Sequence, residues 1–461
     1  MNIFLKENLP QRLVLIVTLI TIGFIALIGV NDFSGPFLFL FFFIFALIVV
    51  NRLYGLFYWI DPTSFFIVSY YGFVVVGTLF FSWFNLELGW LSSLLLVLGL
   101  SAFIAGAMLR DILDSPPGRI RIRREIVVVT KSGDGGLFWL ILFFLFGNIL
   151  IAYYYLRIGT IPLLAIDAET VRVESLAGQA RIPIFGYAFI NVAVAGLTAH
   201  VARRSLWMRL AVAILALLGV IMLLGIGYRV LAVKVFLSTF VAYFFVRRSS
   251  LPIIPLVTLS AIIVTFLGLV GFYRVSGSFI GSLAELNFAF QRVIWALFVR
   301  YLYVYDMVVT VFPNTSPFLF GGSYTMTAAT ALPGAQIHFG HWLRDELGLV
   351  LSSPGPVDPT IIGEFYINFG TPGIAIGMFM LGFALHTTYL WIRGDGKISY
   401  DRLVLLTLIS TSTISIVASG ITSVLLFDLL PLLSVFCFYN LCRRISYGTF
   451  RRPHLSFKER V

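Results

Sequence analysis

One short stretch of the chain brings together side chains that can exchange protons and bind anions. It contains His338, His341, Arg344, Asp345 and Glu346. If the stretch is helical, His338, His341 and Asp345 share one face, because residues three and four apart are neighbours on a helix. Imidazole titrates near neutral pH and can accept a proton from a hydroxyl, while a guanidinium can stabilise a departing anion. We predict His338 and His341 as general bases and Arg344 as a leaving-group contact; a two-histidine zinc site and a solvated polar loop are the alternatives.

A second polar cluster runs from Ser352 to Gly373. Asp358 followed by proline predicts a helix N-cap with proline at the first helical position. Glu364 and Asn368 then share a helical face, and the Gly-Thr-Pro-Gly sequence after them predicts a break or strong kink. A carboxylate at the mouth of a broken membrane helix is a candidate catalytic group, so Glu364 is a third candidate base. Structural pairing of Glu364 with an arginine is the alternative.

Arginine dominates the cations away from the predicted cytoplasmic side. A guanidinium binds phosphate through a planar, two-pronged set of donors and stays protonated, whereas lysine acts as a point charge. Snorkelling at helix ends can explain any single arginine, but the whole set predicts a site for a lipid-linked phosphate or diphosphate. The members are Arg157, Arg172, Arg181, Arg229, Arg274, Arg292, Arg300 and Arg344, and Lys234 lies within a predicted span.

Membrane-spanning helices must position these residues. The 461-residue chain is 59% hydrophobic and 11% charged, whereas a soluble domain carries about 25% charged residues. Counting apolar segments of roughly 20 residues predicts an all-α, polytopic integral membrane protein with about twelve spans. Asp428 and Pro431 separate the last two and predict a tight hairpin or a kink there. The predicted spans are 12–30, 36–51, 63–84, 88–109, 136–156, 184–202, 208–226, 229–246, 251–273, 361–391, 403–427 and 429–442.

Basic residues concentrate in alternate connections, which predicts that these connections and both termini are cytoplasmic. The chain is then one transmembrane domain, 1–461, with external loops at 157–183 and 274–360. Within the second loop, 287–311 is predicted to lie at the interface or to dip in beside other helices. The net charge of +11 is therefore a topology signal and a contact for membrane lipids. No nucleic acid partner is expected.

The sequence Pro-x-x-Ile-Gly-Glu-Phe-Tyr-Ile-Asn-Phe-Gly-x-x-Gly, from Pro359 to Gly373, resembles the oligosaccharide repeat unit polymerase family, the Wzy-type O-antigen polymerases. The Gly227-Tyr228-Arg229 corner resembles the glycine–arginine turn before a middle span of that family. The layout agrees as well, with cytoplasmic termini and one dominant external loop between the ninth and tenth spans. The resemblance implies a fold like that of the GT-C membrane glycosyltransferases.

The resemblance also implies an activity. Such an enzyme transfers a glycan from a polyisoprenyl (undecaprenyl-type) diphosphate to the non-reducing end of another lipid-linked glycan. It would work in the cytoplasmic (inner) membrane with its active site facing the periplasm or cell exterior, without metal, nucleotide or other cofactor, and with a chain-length regulator as a partner. The role of holding diphosphate and sugar would fall to Arg229, Arg274 and Arg344, with Arg292 and Arg300 as second choices. Arg157, Tyr366 and Asn368 are further predicted substrate-binding residues.

Two other functions are open from the sequence. An O-antigen ligase uses the same donor but passes the glycan to a lipid A core, and sequence patterns separate it poorly from a polymerase. A transporter or flippase of lipid-linked glycans predicts charges along the spans and often an internal repeat. The predicted spans carry almost no charge apart from Lys234, which favours an enzyme.

Overall fold

The computed structural model describes residues 62–114, 127–129, 135–165, 168–176, 179–247, 283–330, 332, 338–349, 355–394 and 397–450. Nearly all of them are helical. In the first half of the chain the elements are α1 (Pro62–Tyr71), α2 (Gly77–Phe81), α3 (Trp90–Asp114), β1 (Val127–Val129), α4 (Gly135–Ile158), α5 (Ala168–Leu176), α6 (Arg181–Val201), α7 (Leu206–Gly225) and α8 (Arg229–Arg247). In the second half they are α9 (Leu283–Ile294), α10 (Arg300–Val311), α11 (Gly322–Ala329), α12 (Phe339–Glu346), α13 (Thr360–Arg393), β2 (Lys397–Ser399), α14 (Tyr400–Ser419), α15 (Ile421–Val424) and α16 (Leu430–Phe450).

Among the described residues, eight helices are long and apolar enough to cross a membrane. They are α3, α4, α6, α7, α8, α13, α14 and the helix formed by α15 and α16. Each of the first six coincides with a predicted span, whereas the predicted span 403–427 runs past the end of α14 and across Gly420 into the last helix. The predicted spans 12–30, 36–51 and 251–273 lie outside the described residues. The predicted span 63–84 is helical, but a π-helical turn and a 3-10 turn interrupt it.

The connections between these helices lie alternately at two ends of the bundle. We call one the basic end; it contains the 202–205 and 394–399 connections. There Arg203 donates to the Val246 carbonyl at 3.0 Å, and β1 pairs in parallel with β2. The opposite end, which we call the site end, contains the turn 226–228 and Gly420. The cluster of arginines and carboxylates described below lies at the site end.

The helices pack around two clusters of buried apolar side chains. The first surrounds α6, whose central residues are almost wholly buried among α4, α7, α8, α14 and α16. The second joins α1, α3, α10, α12 and α13. Here α3 and α13 cross so closely that a Cβ on Gly106 or on Gly382 would overlap a backbone carbonyl of the other helix. The helix 300–311 is thus packed in beside others, one of the two predicted placements for 287–311.

The predicted break in α13 is confirmed. Gly370 has φ 64° and ψ −152°, which is not a helical conformation, and it divides the element into two helical segments. Phe365 on the first segment packs against Gly373 and Gly377 of the second. The first segment, 360–369, therefore folds back against the start of the spanning segment. It is about 15 Å long at 1.5 Å per residue.

The last two spans form a hairpin that turns at Gly420, where φ is 84°. Asp401 at the start of α14 forms an ion pair with Arg443 near the end of α16, so these helices run antiparallel. The hairpin predicted at Asp428 and Pro431 was therefore wrong, and the residues there follow the other predicted alternative, a single longer helix. Asp428 lies in a π-helical turn within one continuous helix, because its charge is neutralised inside the bundle by Lys234 at 2.6 Å.

Candidate active site

Two arginines meet at the site end of α8. Arg172 on α5 packs its side chain against Gly227, and its guanidinium lies 5.5 Å from the centroid of the Tyr228 ring. Arg229 begins α8 and is close enough for its charge and that of Arg172 to interact. Burial lowers the pKa of Arg172 and raises the pKa of Tyr228. Two partly buried like charges side by side predict a site that an anion would stabilise.

A third arginine reaches the same place from α10. The Arg300 guanidinium donates a 2.9 Å hydrogen bond to the Pro356 carbonyl, at the extended segment that leads into α13. Its charge acts on Asp358, and the neighbouring Tyr301 interacts electrostatically with both Asp358 and Arg229. Burial raises the pKa of Asp358 to about 6, and Arg300 opposes that shift. The cluster thus joins arginine, phenol and carboxylate groups from both apolar cores.

Asp358 does not cap α13 as predicted. The helix begins at Thr360 with Pro359 at the cap position, and no side chain caps it. Asp358 Oδ2 instead accepts a long hydrogen bond, 3.5 Å, from Ser419 Oγ at the end of α14. The carboxylate therefore faces the α14–α15 turn and the arginines, because the extended segment turns into the helix only after the proline.

Glu364 lies one turn into the first segment of α13 and is 2% exposed. Its Oε2 accepts the Ile421 N–H at 2.6 Å, and Thr422 also hydrogen-bonds to the carboxylate. A helix N-terminus carries unsatisfied N–H groups and a partial positive charge. The structural partner of Glu364 is thus the N-terminus of the α15–α16 helix rather than an arginine.

Asn368 and Tyr366, two predicted substrate-binding residues, fasten the segment before α11 to α13. Asn368 donates to Ser323 Oγ at 2.6 Å and accepts the Gly321 N–H at 3.0 Å. Tyr366 donates its hydroxyl to the Phe312 carbonyl at 3.2 Å. Both side chains hold the wall of the site in place through these bonds.

The histidine cluster lies at the start of helix α12, which begins at Phe339 directly after His338. His338 caps α12 and its Nδ1 accepts the Gly340 N–H at 3.2 Å, while the His338 and His341 rings lie 5.3 Å apart. Burial lowers the pKa of both imidazoles, so they are neutral near pH 7. The Val357 N–H donates to the Gly340 carbonyl at 3.1 Å. This bond places α12 beside the segment that carries Asp358.

The other predicted site residues have different surroundings. Arg344 pairs with Asp345 at 2.9 Å. Arg292 is exposed, with its guanidinium 4.6 Å from the centroid of an aromatic ring on its own helix. Arg157 is exposed in the last turn of α4, and Arg274 lies outside the described residues.

The sequence did not indicate Asp358 as a catalytic residue, and it did not indicate Tyr228 or Tyr301 as members of the site. A signal was present, because tyrosine and arginine are adjacent in Tyr228-Arg229 and Arg300-Tyr301. Helix α5 supplies Arg172 from a separate connection, which no local pattern relates to the others. Within the described ranges, no three His, Cys, Asp or Glu side chains converge as a metal site would require.

The chain matches the model of the family described as "Putative O-antigen polymerase" over residues 11–429. No curated protein and no solved structure matches the chain.

Proposed function

This chain belongs to the O-antigen polymerase family, an assignment that confirms the resemblance seen at Pro359–Gly373, and we propose that it joins oligosaccharide repeat units carried on an undecaprenyl-type diphosphate. It is an integral membrane enzyme of polysaccharide biosynthesis. In the proposed reaction, the glycan on one lipid diphosphate moves to the non-reducing end of a second lipid-linked unit. The convergence of Arg172, Arg229 and Arg300 carries this proposal.

The three guanidinium groups suit the leaving group of that reaction. When the bond between the sugar and the diphosphate breaks, negative charge develops on the diphosphate oxygens, and preorganised donors stabilise such charge in a low-dielectric site. Arg172 and Arg229 come from the α8 side, and Arg300 comes from the α10 side. Because guanidinium charge can neutralise a diphosphate, we propose that neither a divalent metal nor a nucleotide is needed.

The remaining predicted residues are assigned by proximity. His338 and His341 are neutral groups beside the segment that carries Asp358, where an acceptor sugar would lie. Glu364 holds the α15–α16 helix against the cluster, and Arg344 is a second contact for the acceptor glycan. We propose that five further residues contact the sugars or lipid headgroups: Arg157, Arg292, Tyr366, Asn368 and Arg274, the last of which lies outside the described residues.

Topology and partners are part of the proposal. The site end would face the periplasm or cell exterior from the cytoplasmic membrane, since basic residues favour the cytoplasmic side and the opposite end contains Arg203, Arg204 and Arg247. A separate chain-length regulator would set how many units are joined. Its presence would shift the most abundant product length without changing the rate at which the first linkage forms.

The test is polymerisation by the purified protein in liposomes supplied with an undecaprenyl diphosphate-linked repeat unit and excess EDTA. We expect a ladder of products on a gel. Arg172→Ala and Arg229→Ala should form the ladder much more slowly, whereas Arg204→Ala, which removes an exposed arginine of the basic end, should form it at the unaltered rate.

Three outcomes would contradict the proposal. A single product on a lipid A core acceptor with no ladder would indicate a ligase. Lipid movement across the bilayer without glycan transfer would indicate a transporter. A ladder that forms only after a divalent metal is restored would contradict the metal-independent chemistry.

A further inference from the structure

Asp358 occupies a backbone segment that is fixed on both sides. Before it, Val357 is wholly buried and its N–H is bonded to the Gly340 carbonyl, while the Pro356 carbonyl accepts from Arg300. After it, Thr360 has φ 67°. A β-branched residue in the left-handed region costs of order 1–3 kcal/mol, and such strain clusters at functional sites. The carboxylate is therefore held in position rather than left on a flexible loop.

The surroundings of Asp358 differ from those of the other buried carboxylate of the cluster. Glu364 accepts a 2.6 Å hydrogen bond from the Ile421 N–H and further hydrogen bonds from Thr422, all at one helix N-terminus. Asp358 accepts a hydrogen bond at 3.5 Å from Ser419, near the limit for such a bond. An ionised carboxylate offers about four acceptor sites. Asp358 thus retains capacity to accept a proton or a hydroxyl hydrogen bond.

The charged and titratable groups facing Asp358 come from each neighbouring element. Tyr228 precedes α8, Arg300 and Tyr301 begin α10, and Glu364 lies on α13. Burial holds the pKa of Asp358 at about 6. The group is then mostly ionised at pH 7, yet basic enough to share a proton in a transition state, which is the range in which general bases are effective.

We infer that Asp358 is the catalytic base of the glycosyl transfer. The inference rests on the proposed function. The acceptor hydroxyl oxygen attacks the anomeric carbon of the donor sugar as its proton passes to the Asp358 carboxylate. The bond between the anomeric carbon and the diphosphate oxygen breaks, and its electron pair leaves on the diphosphate, held by Arg172, Arg229 and Arg300. The proton then passes from Asp358 to solvent.

The test measures formation of the first linkage by the full chain in liposomes. Asp358→Asn keeps the shape of the side chain but removes its basicity, so kcat should fall about 100- to 10,000-fold while KM changes less than about threefold. The kcat/KM of the unaltered protein should rise with pH through about 6. Asp358→Glu should retain part of the kcat and the same rise of kcat/KM with pH. Glu87→Gln, an exposed carboxylate outside the cluster, should match the unaltered protein.

Several results would overturn the assignment. One is a kcat for Asp358→Asn within threefold of that of the unaltered protein. Another is a rise of kcat/KM with pH that persists in Asp358→Asn and disappears in Glu364→Gln. Retention of the donor's anomeric configuration in the product would exclude a single displacement with one base. If Asp358→Asn does not fold, the pH profile and the Asp358→Glu variant still decide. A failed proposed function would look different, because the unaltered protein would then form no linkage at any pH.

Discussion

Replacing Lys234 with methionine should strongly destabilise the protein. Lys234 and Asp428 lie within spans, their side chains are 3% and 6% exposed, and Nζ is 2.6 Å from Oδ2. At an effective dielectric constant of about 20, two unit charges at that separation attract by roughly 6 kcal/mol, and lost solvation offsets much of this. Methionine fills a similar volume but leaves the Asp428 charge buried without its counter-ion. Breaking a buried pair in this way costs about 3–5 kcal/mol.

Asp428 has a second partner that sharpens the experiment. Tyr187 donates to Asp428 Oδ1 at 3.0 Å, and Asn191 donates to the Tyr187 hydroxyl at 3.0 Å. In the double variant Lys234→Met/Asp428→Asn, the amide oxygen can still accept from Tyr187, and no charge remains buried. We therefore expect the double variant to recover most of the lost stability, because a buried pair and its neutral replacement are often nearly equal in free energy.

The assay is reversible unfolding in mixed micelles, titrated with a denaturing detergent and followed by tryptophan fluorescence. The free energy of unfolding should fall by about 3–5 kcal/mol for Lys234→Met. A loss below about 1 kcal/mol would show that the pair is solvated in the protein. A double variant no more stable than the single one would show that shape, not charge, explains the loss.

Three further results are expected. Arg172→Ala should lower kcat/KM about 10- to 150-fold in the linkage assay, from roughly 1.5–3 kcal/mol per charge-assisted hydrogen bond; an unchanged Arg172→Ala enzyme would remove that residue from the diphosphate site. Gly382→Ala should lower the free energy of unfolding by about 1–3 kcal/mol, since its Cβ would overlap the α3 backbone, whereas Gly72→Ala, with open space around it, should differ less; equal losses in thermal unfolding would contradict the close crossing. Burial raises the Asp358 pKa from 3.8 to about 6, so ionising this group costs folding stability as pH rises through that window; Asp358→Asn should be about 1–3 kcal/mol more stable than the unaltered protein at pH 7 and show no such gain below about pH 4. An Asp358→Asn protein less stable at pH 7 would argue that the carboxylate serves the fold.

The opposite effects expected for Asp358→Asn on activity and stability separate a functional role from a structural one. A group kept in a strained, partly desolvated position for chemistry commonly lowers stability. Lys234 and Asp428 show the contrasting case, because their removal one at a time should destabilise the fold. Measuring both quantities on the same preparations would distinguish the two kinds of buried charge in this protein.

Local composition was enough to predict the spans and one break. The predicted spans within the described residues are built mainly of helix, because roughly 20 consecutive apolar residues have few other stable arrangements in a bilayer. The exception is 403–427, which the turn at Gly420 divides. The break at Gly370 was also predictable, since glycine adopts φ 64° without steric cost. The glycine–tyrosine–arginine corner at Gly227 likewise marked the start of α8.

Tertiary packing decided which residues act together. Arg172, Arg229 and Arg300 are far apart in sequence, and only the folded chain links them, Arg172 directly to Arg229 and Arg300 through Tyr301. The sequence around Asp358 is also that of a helix cap, so the sequence did not distinguish a capping role from a catalytic one. The sequence around Asp428 is typical of a turn, and only the structure shows its ion pair with Lys234. Hydropathy is a property of each segment, so the sequence specifies the helices. The positions of charges relative to one another depend on how helices rotate and cross, and many distant contacts set that geometry together.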